Sequence, residues 1–425
     1  MLRRIGTTGL LVIALTACGG GGGSAGATPT GGKAAPPARS TPTRTVTPSQ
    51  VQRVLSKLSV EEKVGQLFMP VLYGTSAGTV SGENQARYAA QTPAKVIGEY
   101  HLGGVILFPQ NVRSSGQVVG LTNGMQKAAG KVPLLIGTDQ ENGLVSRMAA
   151  LMTKFPSASQ IGATKDTGLS REVAKATGEE LRALGVNLDF APVADVNINP
   201  RNPVIGPRAF GDDPQRVAKM VAAAVKGFGD AKIAATAKHF PGHGDTSVDS
   251  HTGLPVIKHS KAEWERIDAP PFKAAIEAGV DAVMSAHIVF PKLDPSGDPA
   301  TLSKPILTGL LREKLGFDGV ISTDALNMGG VRKKYNDGEI AVRAVLAGAD
   351  LLLMPNDLPR AYKAVLAAVK SGRISKQRLD QSVTRLLTLK QNEGLLEKAP
   401  VASEREAAGV LRSAEHRKLA ARVGN

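Results

Sequence analysis

Eight short apolar runs, each followed by a segment with helical periodicity, constrain the fold of this chain more than any other feature. The runs start at Gly65, Gly103, Pro133, Val186, Ile233, Asp281, Asp318 and Ala349. Apolar residues recur at three- and four-residue spacing between them, as over 170–185, 213–230, 306–316, 338–348 and 375–394. Strands that alternate with helices are typical of a parallel sheet covered by helices. Eight such units in about 350 residues predict a single (β/α)8 barrel. An open doubly wound sheet is disfavoured, because no glycine-rich phosphate loop follows an early strand.

Polar side chains gather where these runs end. They are Asp139, Asp189, Asp195, Lys238, His239, His287 and Asp324. The carboxyl ends of barrel strands share one face, and active sites are built there. This convergence predicts an enzyme with one pocket assembled from residues far apart in sequence.

The segment KHFPGHGDTSVDSH, from Lys238 to His251, holds three of the seven histidines of the chain. It has three interpretations: a polar loop whose histidines satisfy backbone groups, a metal site that uses His239, His243 and Asp249 or His251, or an acid/base loop. A helix that would align two histidines for a metal is disfavoured by the Pro-Gly pair between them. In an extended segment Asp249 can orient His251 and raise its pKa, so that the imidazole exchanges a proton near neutral pH.

This segment and the following TGLP resemble the signature of glycoside hydrolase family 3, in its β-N-acetylglucosaminidase branch. Related motifs cover most of residues 60–360. The resemblance implies that His251 is the general acid/base with Asp249 as its partner, and that Lys238 and His239 hold sugar hydroxyls.

Asp324 lies at the end of a strand in GVISTDALNM. From the residues alone it could equally be the N-cap of a following helix. The segment is similar to the one that carries the nucleophile of the family, which implies that Asp324 attacks the anomeric carbon. Double displacement through a glycosyl-enzyme then retains the configuration of the sugar.

The run TDQENGLVSRM contains Asp139 and Arg147 and resembles a sugar-binding run of the family, although Asn142 and Leu144 stand where Gly and Arg are usual. The resemblance implies that Asp139 binds the outer hydroxyls of the sugar and that Arg147 belongs to the same subsite.

The run NPRNPVIGPRAFGDDP implies Arg208 as a further sugar contact, with Ala209 in place of the usual Ser. For Asp189 and Asp195 a supporting role in the site and a purely structural role are equally compatible with the sequence. We expect His287 to form pocket wall or to support the residues that contact substrate.

The first 47 residues predict export. Arg3 and Arg4, a short apolar region and Leu-Thr-Ala before Cys18 resemble a lipoprotein signal peptide, with Cys18 as the lipidated residue. Residues 19–47 predict a disordered Gly/Ala/Pro/Thr linker, residues 48–396 the barrel, and residues 397–425 a tail that forms an exposed helix. We therefore expect a lipid-anchored protein on the outer face of the cell membrane.

The net charge of +15 invites a nucleic-acid interpretation. The first 47 residues carry +5 and the last 28 carry +3, and the remaining charge forms no Lys/Arg stripe with interleaved aromatics. An anionic membrane or wall polymer explains the excess better. We expect no nucleic-acid partner, no metal, no cofactor and a monomer.

The sequence therefore predicts a retaining exo-β-N-acetylglucosaminidase that acts on peptidoglycan fragments. Three alternatives remain. A phosphorylase is open because a histidine acid/base repels incoming phosphate less than a carboxylate would. A non-catalytic glycan-binding lipoprotein would have lost Asp324, Asp249 or His251, and all three are present. A β-glucosidase is disfavoured, because many such relatives take their acid/base from a second domain and only about 30 residues follow the last predicted helix here.

Overall fold

Parallel strands form the centre of the structure, a computed structural model that describes residues 49–249, 253–397 and 401–422. The strands are β1 (Phe68–Met69), β2 (Gly104–Ile106), β3 (Leu135–Thr138), β4 (Gln140–Asn142), β5 (Val145–Ser146), β6 (Leu188–Asp189), β7 (Ala234–Phe240), β8 (Ala282–Ser285), β9 (Val320–Ser322) and β10 (Leu352–Leu353). All except β4 and β5, which form an antiparallel hairpin, are parallel to their neighbours.

The main sheet has six strands in the order β2-β3-β6-β7-β8-β9, and β1 pairs separately with β10. Single parallel bridges join Val71 to Ile106 and Ser322 to Leu351. Each of the eight predicted runs contains one of these parallel strands. The prediction of an α/β fold is confirmed, with a parallel sheet that curls.

Helices follow the parallel strands in sequence. They are α1 (Gln50–Leu55), α2 (Val60–Gly65), α3 (Gly82–Tyr88), α4 (Pro93–Tyr100), α5 (Ser115–Ala128), α6 (Ala158–Thr164), α7 (Thr167–Ala183), α8 (Pro214–Asp230), α9 (Lys261–Ile267), α10 (Ala269–Glu277), α11 (Gly329–Arg332), α12 (Asp337–Ala347), α13 (Leu358–Lys370), α14 (Lys376–Asn392), α15 (Glu404–Val410) and α16 (Ala414–Ala421). Short 3-10 turns cover Pro109–Asn111, Gly206–Arg208 and Ala300–Leu302. The helix predicted at 306–316 is a π-helix over Pro305–Lys314.

Local chemistry sets where the long helices begin and end. Asp166 caps α7 and Asp213 caps α8, each accepting a hydrogen bond from a backbone N–H of the first turn. Gly348 ends α12 at a φ of 126°, which favours glycine. In both α7 and α8 one face is buried, so these helices cover the sheet as their periodicity predicts.

The only tryptophan holds the carboxyl end of β7. Trp264 is fully buried, and its Nε1 donates to Pro241 O at 2.9 Å. Its ring packs edge-on against Phe240, which packs in the same way against Phe272. The helices α9 and α10 therefore fix the point where β7 delivers its polar residues.

The C-terminal segment is docked on other helices. The inner face of α15 places Ala407, which is fully buried, against Val119 of α5 and Ala183 of α7. Most residues of α15 and α16 are exposed, and the tail forms two short helices in which only Ala407 and His416 are buried among the described residues. Among the described residues, no helix is both long and apolar enough to cross a bilayer.

Lys390 of α14 is fully buried, and its Nζ donates to Gln66 Oε1 at 2.7 Å. Burial lowers the pKa of Lys390 to about 7. Between that value and its ordinary pKa, the unfolded chain binds more protons than the folded chain, so the free energy of unfolding rises with pH. Below pH 7 the folded protein bears the full cost of a buried ammonium.

We expect Lys390→Met to remove this pH dependence. The free energy of unfolding of the wild type should rise by on the order of 2 kcal/mol between pH 6 and pH 9 relative to that of the variant. Urea unfolding of both proteins at the two pH values measures the difference. Parallel pH dependence in the two proteins would contradict the neutral state of Lys390.

Candidate active site

A cavity of about 320 Å³ opens at the carboxyl ends of the parallel strands. Its walls come from β2, β7, β8 and β10 and from the segments that follow β2, β3, β6, β7, β9 and β10. Its charged and histidine lining consists of Asp139, Glu141, Arg147, Arg208, Lys238, His239, His243 and Asp324. The structure thus brings together all five predicted sugar-binding residues and the predicted nucleophile, although their roles remain predictions.

The hairpin β4–β5 carries Glu141, and Asp139 and Arg147 flank the hairpin in sequence. Its turn contains Gly143 at a φ of 57°, and a Cβ there would lie 2.7 Å from that of Ser157. Asn142 has a φ of 69°, a conformation that asparagine tolerates better than most residues. This explains how Asn142 can stand where the family usually has glycine.

Arg147 follows the hairpin, and its backbone N–H donates to Asp139 O at 3.1 Å. Its guanidinium lies 5.1 Å from the ring centre of Phe108. Its Nε is buried and has no hydrogen-bond partner among the described residues. Arg147 therefore reaches the cavity with donor capacity left for an oxygen-rich ligand.

Glu141 forms ion pairs with two cations of the cavity wall, Lys238 and Arg208. One oxygen lies 2.6 Å from Lys238 Nζ, and the two oxygens accept from Arg208 Nε at 2.7 Å and Nη2 at 2.8 Å. Lys238 Nζ also donates to Asp139 Oδ1 at 2.9 Å. The side chain of Glu141 is 3% exposed. A carboxylate between two cations orients both donors before a ligand arrives.

The ionisation of this cluster follows from its geometry. Burial raises the pKa of Glu141, but Lys238 and Arg208 outweigh it and bring that pKa to about 2. Burial lowers the pKa of Lys238, but Asp139 and Glu141 outweigh it and leave the pKa above its usual value. Glu141 and Lys238 therefore stay charged at neutral pH. Glu141 was not among the residues predicted from the sequence, although two buried cations at this end of the sheet require a nearby carboxylate.

Asp195 orients His239. Its Oδ2 lies 2.7 Å from His239 Nδ1, and its Oδ1 accepts from the backbone N–H groups of His239 at 3.2 Å and His243 at 2.7 Å. Because a carboxylate oxygen only accepts, Nδ1 carries the hydrogen and Nε2 points towards Arg208, 3.4 Å away.

Asp189 is as deeply buried as Asp195 but has no histidine partner among the described residues. Its Oδ1 accepts from Gln140 N at 2.9 Å, and its Oδ2 is buried without a hydrogen-bond partner among the described residues. Burial raises the pKa of Asp189 to about 8. Asp195 therefore supports a cavity residue directly, whereas Asp189 holds the backbone of the hairpin as a neutral acid.

We expect Asp195→Asn to lower kcat/KM by about 20-fold, because the amide NH₂ would face His239 Nδ1 and force the other tautomer. Asp189→Asn is the matched control: an amide mimics a neutral acid, so activity should stay within about twofold. Steady-state kinetics on both variants measures the contrast. Equal losses would show that Asp195 has no special relation to His239.

Asp324 follows β9, and its Oδ1 accepts from Ala325 N at 2.7 Å. Burial raises its pKa, but electrostatic interaction with His287 and His239 and this hydrogen bond outweigh burial and lower the pKa below its usual value. The alternative of a helix N-cap is wrong, because the next helix begins at Gly329 and is capped by Met328. Asp324 is an ionised carboxylate that faces the cavity.

His287 supports the segment after Asp324 from behind. It is fully buried, its Nε2 donates to Ala325 O at 3.0 Å, and its Nδ1 lies 2.9 Å from Thr301 Oγ1. This position agrees with the expected role outside direct substrate contact.

The loop after β7 is anchored over its first half. Asn202 Nδ2 donates to His243 O at 2.8 Å, and a Cβ on Gly244 would lie 1.7 Å from Val196 O. His259 joins Asp245 to Asp268 through its two ring nitrogens, at 3.1 and 2.7 Å. Only a residue without a Cβ fits at position 244, so the loop is held close to the end of the β6 segment.

The metal alternative can be examined only for His239, His243 and Asp249, because His251 lies outside the described residues. In residues 49–249, 253–397 and 401–422, no group of three or more His, Cys, Asp or Glu side chains could hold a metal ion. Burial and the nearby His239 lower the pKa of His243 to about 4, and its Nδ1 lies 3.0 Å from Thr246 Oγ1. His243 is thus a neutral ring engaged with a hydroxyl.

The predicted acid/base pair is described only in part. Asp249 is half-buried, and its carbonyl accepts from Gly253 N at 2.8 Å. His251 lies outside the described residues, as does Cys18. The described cavity lining includes Asp324 but not Asp249. The dyad of Asp249 and His251 remains a prediction.

Residues 59–389 match the glycosyl hydrolase family 3 N terminal domain, and the chain belongs to this family. It is 40% identical over 340 residues to β-hexosaminidase A from Pseudoalteromonas piscicida. The matching region is 73% of this chain and 57% of that protein. The chain thus spans less than two thirds of that relative.

Two solved structures are similar throughout the fold. One is a family 3 β-N-acetylglucosaminidase from Paenibacillus sp. str. FPU-7, with a TM-score of 0.79 and 44% sequence identity. The superposed region covers 86% of this chain and 68% of the Paenibacillus chain. The other is a β-glucoside phosphorylase, with a TM-score of 0.80 and 29% sequence identity. The superposed region covers 88% of this chain and 66% of the phosphorylase chain.

Proposed function

We propose that this chain is a retaining exo-β-N-acetylglucosaminidase that removes terminal N-acetylglucosamine from peptidoglycan fragments or related glycans. The observation that carries the proposal is an ionised Asp324 facing a cavity that is also lined by a preoriented set of cations and carboxylates. The names of the hexosaminidase and acetylglucosaminidase relatives support the sugar.

In the proposed reaction Asp324 attacks the anomeric carbon, while His251 protonates the leaving oxygen. The resulting glycosyl-enzyme is hydrolysed when His251, with Asp249 as its partner, takes a proton from water. The low pKa of Asp324 suits a nucleophile that must be ionised at neutral pH. A histidine can serve as the acid/base because its ordinary pKa lies near neutrality.

The sugar hydroxyls are proposed to bind the charged wall. Asp139 accepts hydrogen bonds, and Lys238, Arg208 and Arg147 donate them, with His239 held in one tautomer by Asp195. Because Glu141 pairs with both Lys238 and Arg208 and Asp139 also pairs with Lys238, the site can bind an uncharged sugar without leaving either of these two cations unpaired.

The wider architecture is also proposed. The eight parallel strands close into a (β/α)8 barrel, which the pairing of β1 with β10 and the bridges from β1 to β2 and from β9 to β10 support. The lipobox-like sequence around Cys18 supports an exported lipoprotein whose linker, residues 19–47, holds the enzyme near wall glycans.

Phosphorolysis is the second candidate, favoured by the similarity to a β-glucoside phosphorylase. In that reaction phosphate replaces water in the second step and the product is a sugar 1-phosphate. The two candidates share Asp324 and differ only in the acceptor.

An aryl β-N-acetylglucosaminide assay with and without phosphate tests the proposal. Hydrolysis is supported by release of the aryl group at the same rate in phosphate-free buffer, with N-acetylglucosamine as the product. A rate that requires phosphate would establish the phosphorylase. Cleavage of only the matching aryl β-glucoside would refute the proposed sugar.

A further inference from the structure

The C-terminal segment 401–422 is tied by hydrogen bonds to α5 and α7. Asn123 of α5 makes two hydrogen bonds of 2.9 Å with the backbone of Ala402, one to the carbonyl and one from the N–H. In α16, the buried side chain of His416 contacts Glu180 of α7. The segment therefore lies across α5 and α7 as a fixed element.

Between α15 and α16, Arg412 donates hydrogen bonds to the loop that follows Arg147. Its Nε donates to Met152 O at 3.1 Å, and its Nη2 donates to Ala149 O at 3.2 Å and to Ala150 O at 2.6 Å. One side chain thus satisfies three carbonyls of a loop that has no regular secondary structure of its own.

The backbone of Arg412 has a φ of 51°, in the left-handed region. A glycine adopts that conformation at lower cost. An arginine at this position indicates that the contacts of its side chain offset the cost.

A buried carboxylate joins the loop, the tail and α7. Glu180 is fully buried and accepts from Thr153 N at 2.7 Å, Thr153 Oγ1 at 2.6 Å, Arg412 N at 2.9 Å and His416 Nδ1 at 2.8 Å. Burial raises the pKa of Glu180, but the hydrogen bonds from His416 and Thr153 outweigh it and lower that pKa. The end of the loop and the tail therefore share one anchor.

The other end of the loop is anchored at the cavity. Met148 N donates to Gln140 Oε1 at 3.0 Å, and Arg147 N donates to Asp139 O at 3.1 Å. Only a few residues separate this anchor from the carbonyls that Arg412 holds. A shift of the loop at Ala149 and beyond would therefore move the guanidinium of Arg147 relative to Asp139.

We propose that Arg412, together with Glu180 and His416, is a positioning residue that sets the affinity of the cavity for the sugar by holding the loop that carries Arg147. This inference rests on the proposed function only in taking Arg147 as a sugar-binding residue. It gives the C-terminal segment a part in the site, although no residue of that segment lines the described cavity.

Arg412→Ala tests the proposal in the full chain. We expect KM for the aryl N-acetylglucosaminide to rise about fivefold and kcat to stay within about twofold, because the nucleophile is untouched. Arg412→Lys keeps the charge and one donor group, so its KM should fall between those of the wild type and the alanine variant.

Arg422→Ala is the matched control. Arg422 lies on the same tail and pairs with Glu172 of α7, both of them exposed, without contacting the loop. Its KM should equal that of the wild type. A rise in KM that is the same for the Arg412 and Arg422 variants, or absent from both, would overturn the proposal.

Hydrogen exchange separates this inference from the proposed function. The amides of Leu151 and Met152, which donate to Met148 O within the loop, should exchange faster in the Arg412→Ala variant and not in the Arg422→Ala variant. Unchanged exchange in the Arg412 variant overturns the positioning role, whether or not the chain cleaves N-acetylglucosaminides. A wild type without that activity would instead refute the proposed function.

Discussion

Replacing Asp324 with alanine is expected to lower kcat for an aryl β-N-acetylglucosaminide by about 10⁴-fold, the scale of losing a covalent nucleophile. The side chain accepts a hydrogen bond only from Ala325 N among the described residues, so the fold should survive. Stopped assays over long incubation measure the residual rate, and circular dichroism checks the fold. If the Asp324→Ala variant kept activity within tenfold of the wild type, the proposed mechanism would be refuted.

Adding azide to the Asp324→Ala variant shows whether Asp324 is the nucleophile. The alanine variant leaves space beside the anomeric carbon, and a small anion can enter from the side that the carboxylate occupied. Azide should restore part of the rate and give the α-glycosyl azide, because one displacement inverts the configuration. A β-azide, formed through two displacements, would mean that another group is the nucleophile.

Asp281→Asn is the matched control for Asp324. Asp281 lies at the amino end of β8, and its Oδ2 accepts from Ala235 N at 3.0 Å. Burial raises its pKa to about 6. Being at the opposite end of the strands, it should tolerate the amide with activity within about twofold of the wild type.

Glu141→Gln is expected to lower both stability and catalysis. The variant removes the carboxylate that two buried cations share, so the free energy of unfolding should fall by about 3 kcal/mol. Lys238 and Arg208 would also lose their common orientation, and kcat/KM should fall by about 100-fold. Denaturant unfolding and steady-state kinetics measure the two effects.

Glu339→Gln provides the comparison at the surface. Glu339 also pairs with two arginines, Arg343 and Arg373, but its side chain is 27% exposed. Solvent screens that pair of contacts, so the variant should lose only about 0.5 kcal/mol and keep full activity. A similar loss of stability in the two variants would mean that burial of Glu141 adds nothing.

The fold could be predicted because each strand-helix unit is local. An apolar run and the periodic segment after it are both visible in the sequence, and every predicted run contains a strand. The grouping of Lys238, His239 and Asp324 followed from the rule that parallel strands end on one face. The π-helix at Pro305–Lys314 could not be distinguished, because its apolar spacing resembles that of an α-helix.

The supporting residues of the site could not be assigned, because their roles depend on distance in space. Asp189 and Asp195 are equivalent in the sequence, and only the 2.7 Å contact with His239 separates them. Glu141 gains its role from Lys238, nearly 100 positions away. The contacts of the tail are more remote still, since His416 and Glu180 are 236 positions apart.

The anomer formed first from the disaccharide GlcNAc-β-1,4-MurNAc tests the central claim most directly. Proton NMR during the first minutes of cleavage by the full chain distinguishes the two anomers before they equilibrate. The account predicts that N-acetylglucosamine appears first as the β-anomer, as a covalent Asp324 intermediate requires. Initial release of the α-anomer, which a single displacement by water would give, would contradict it.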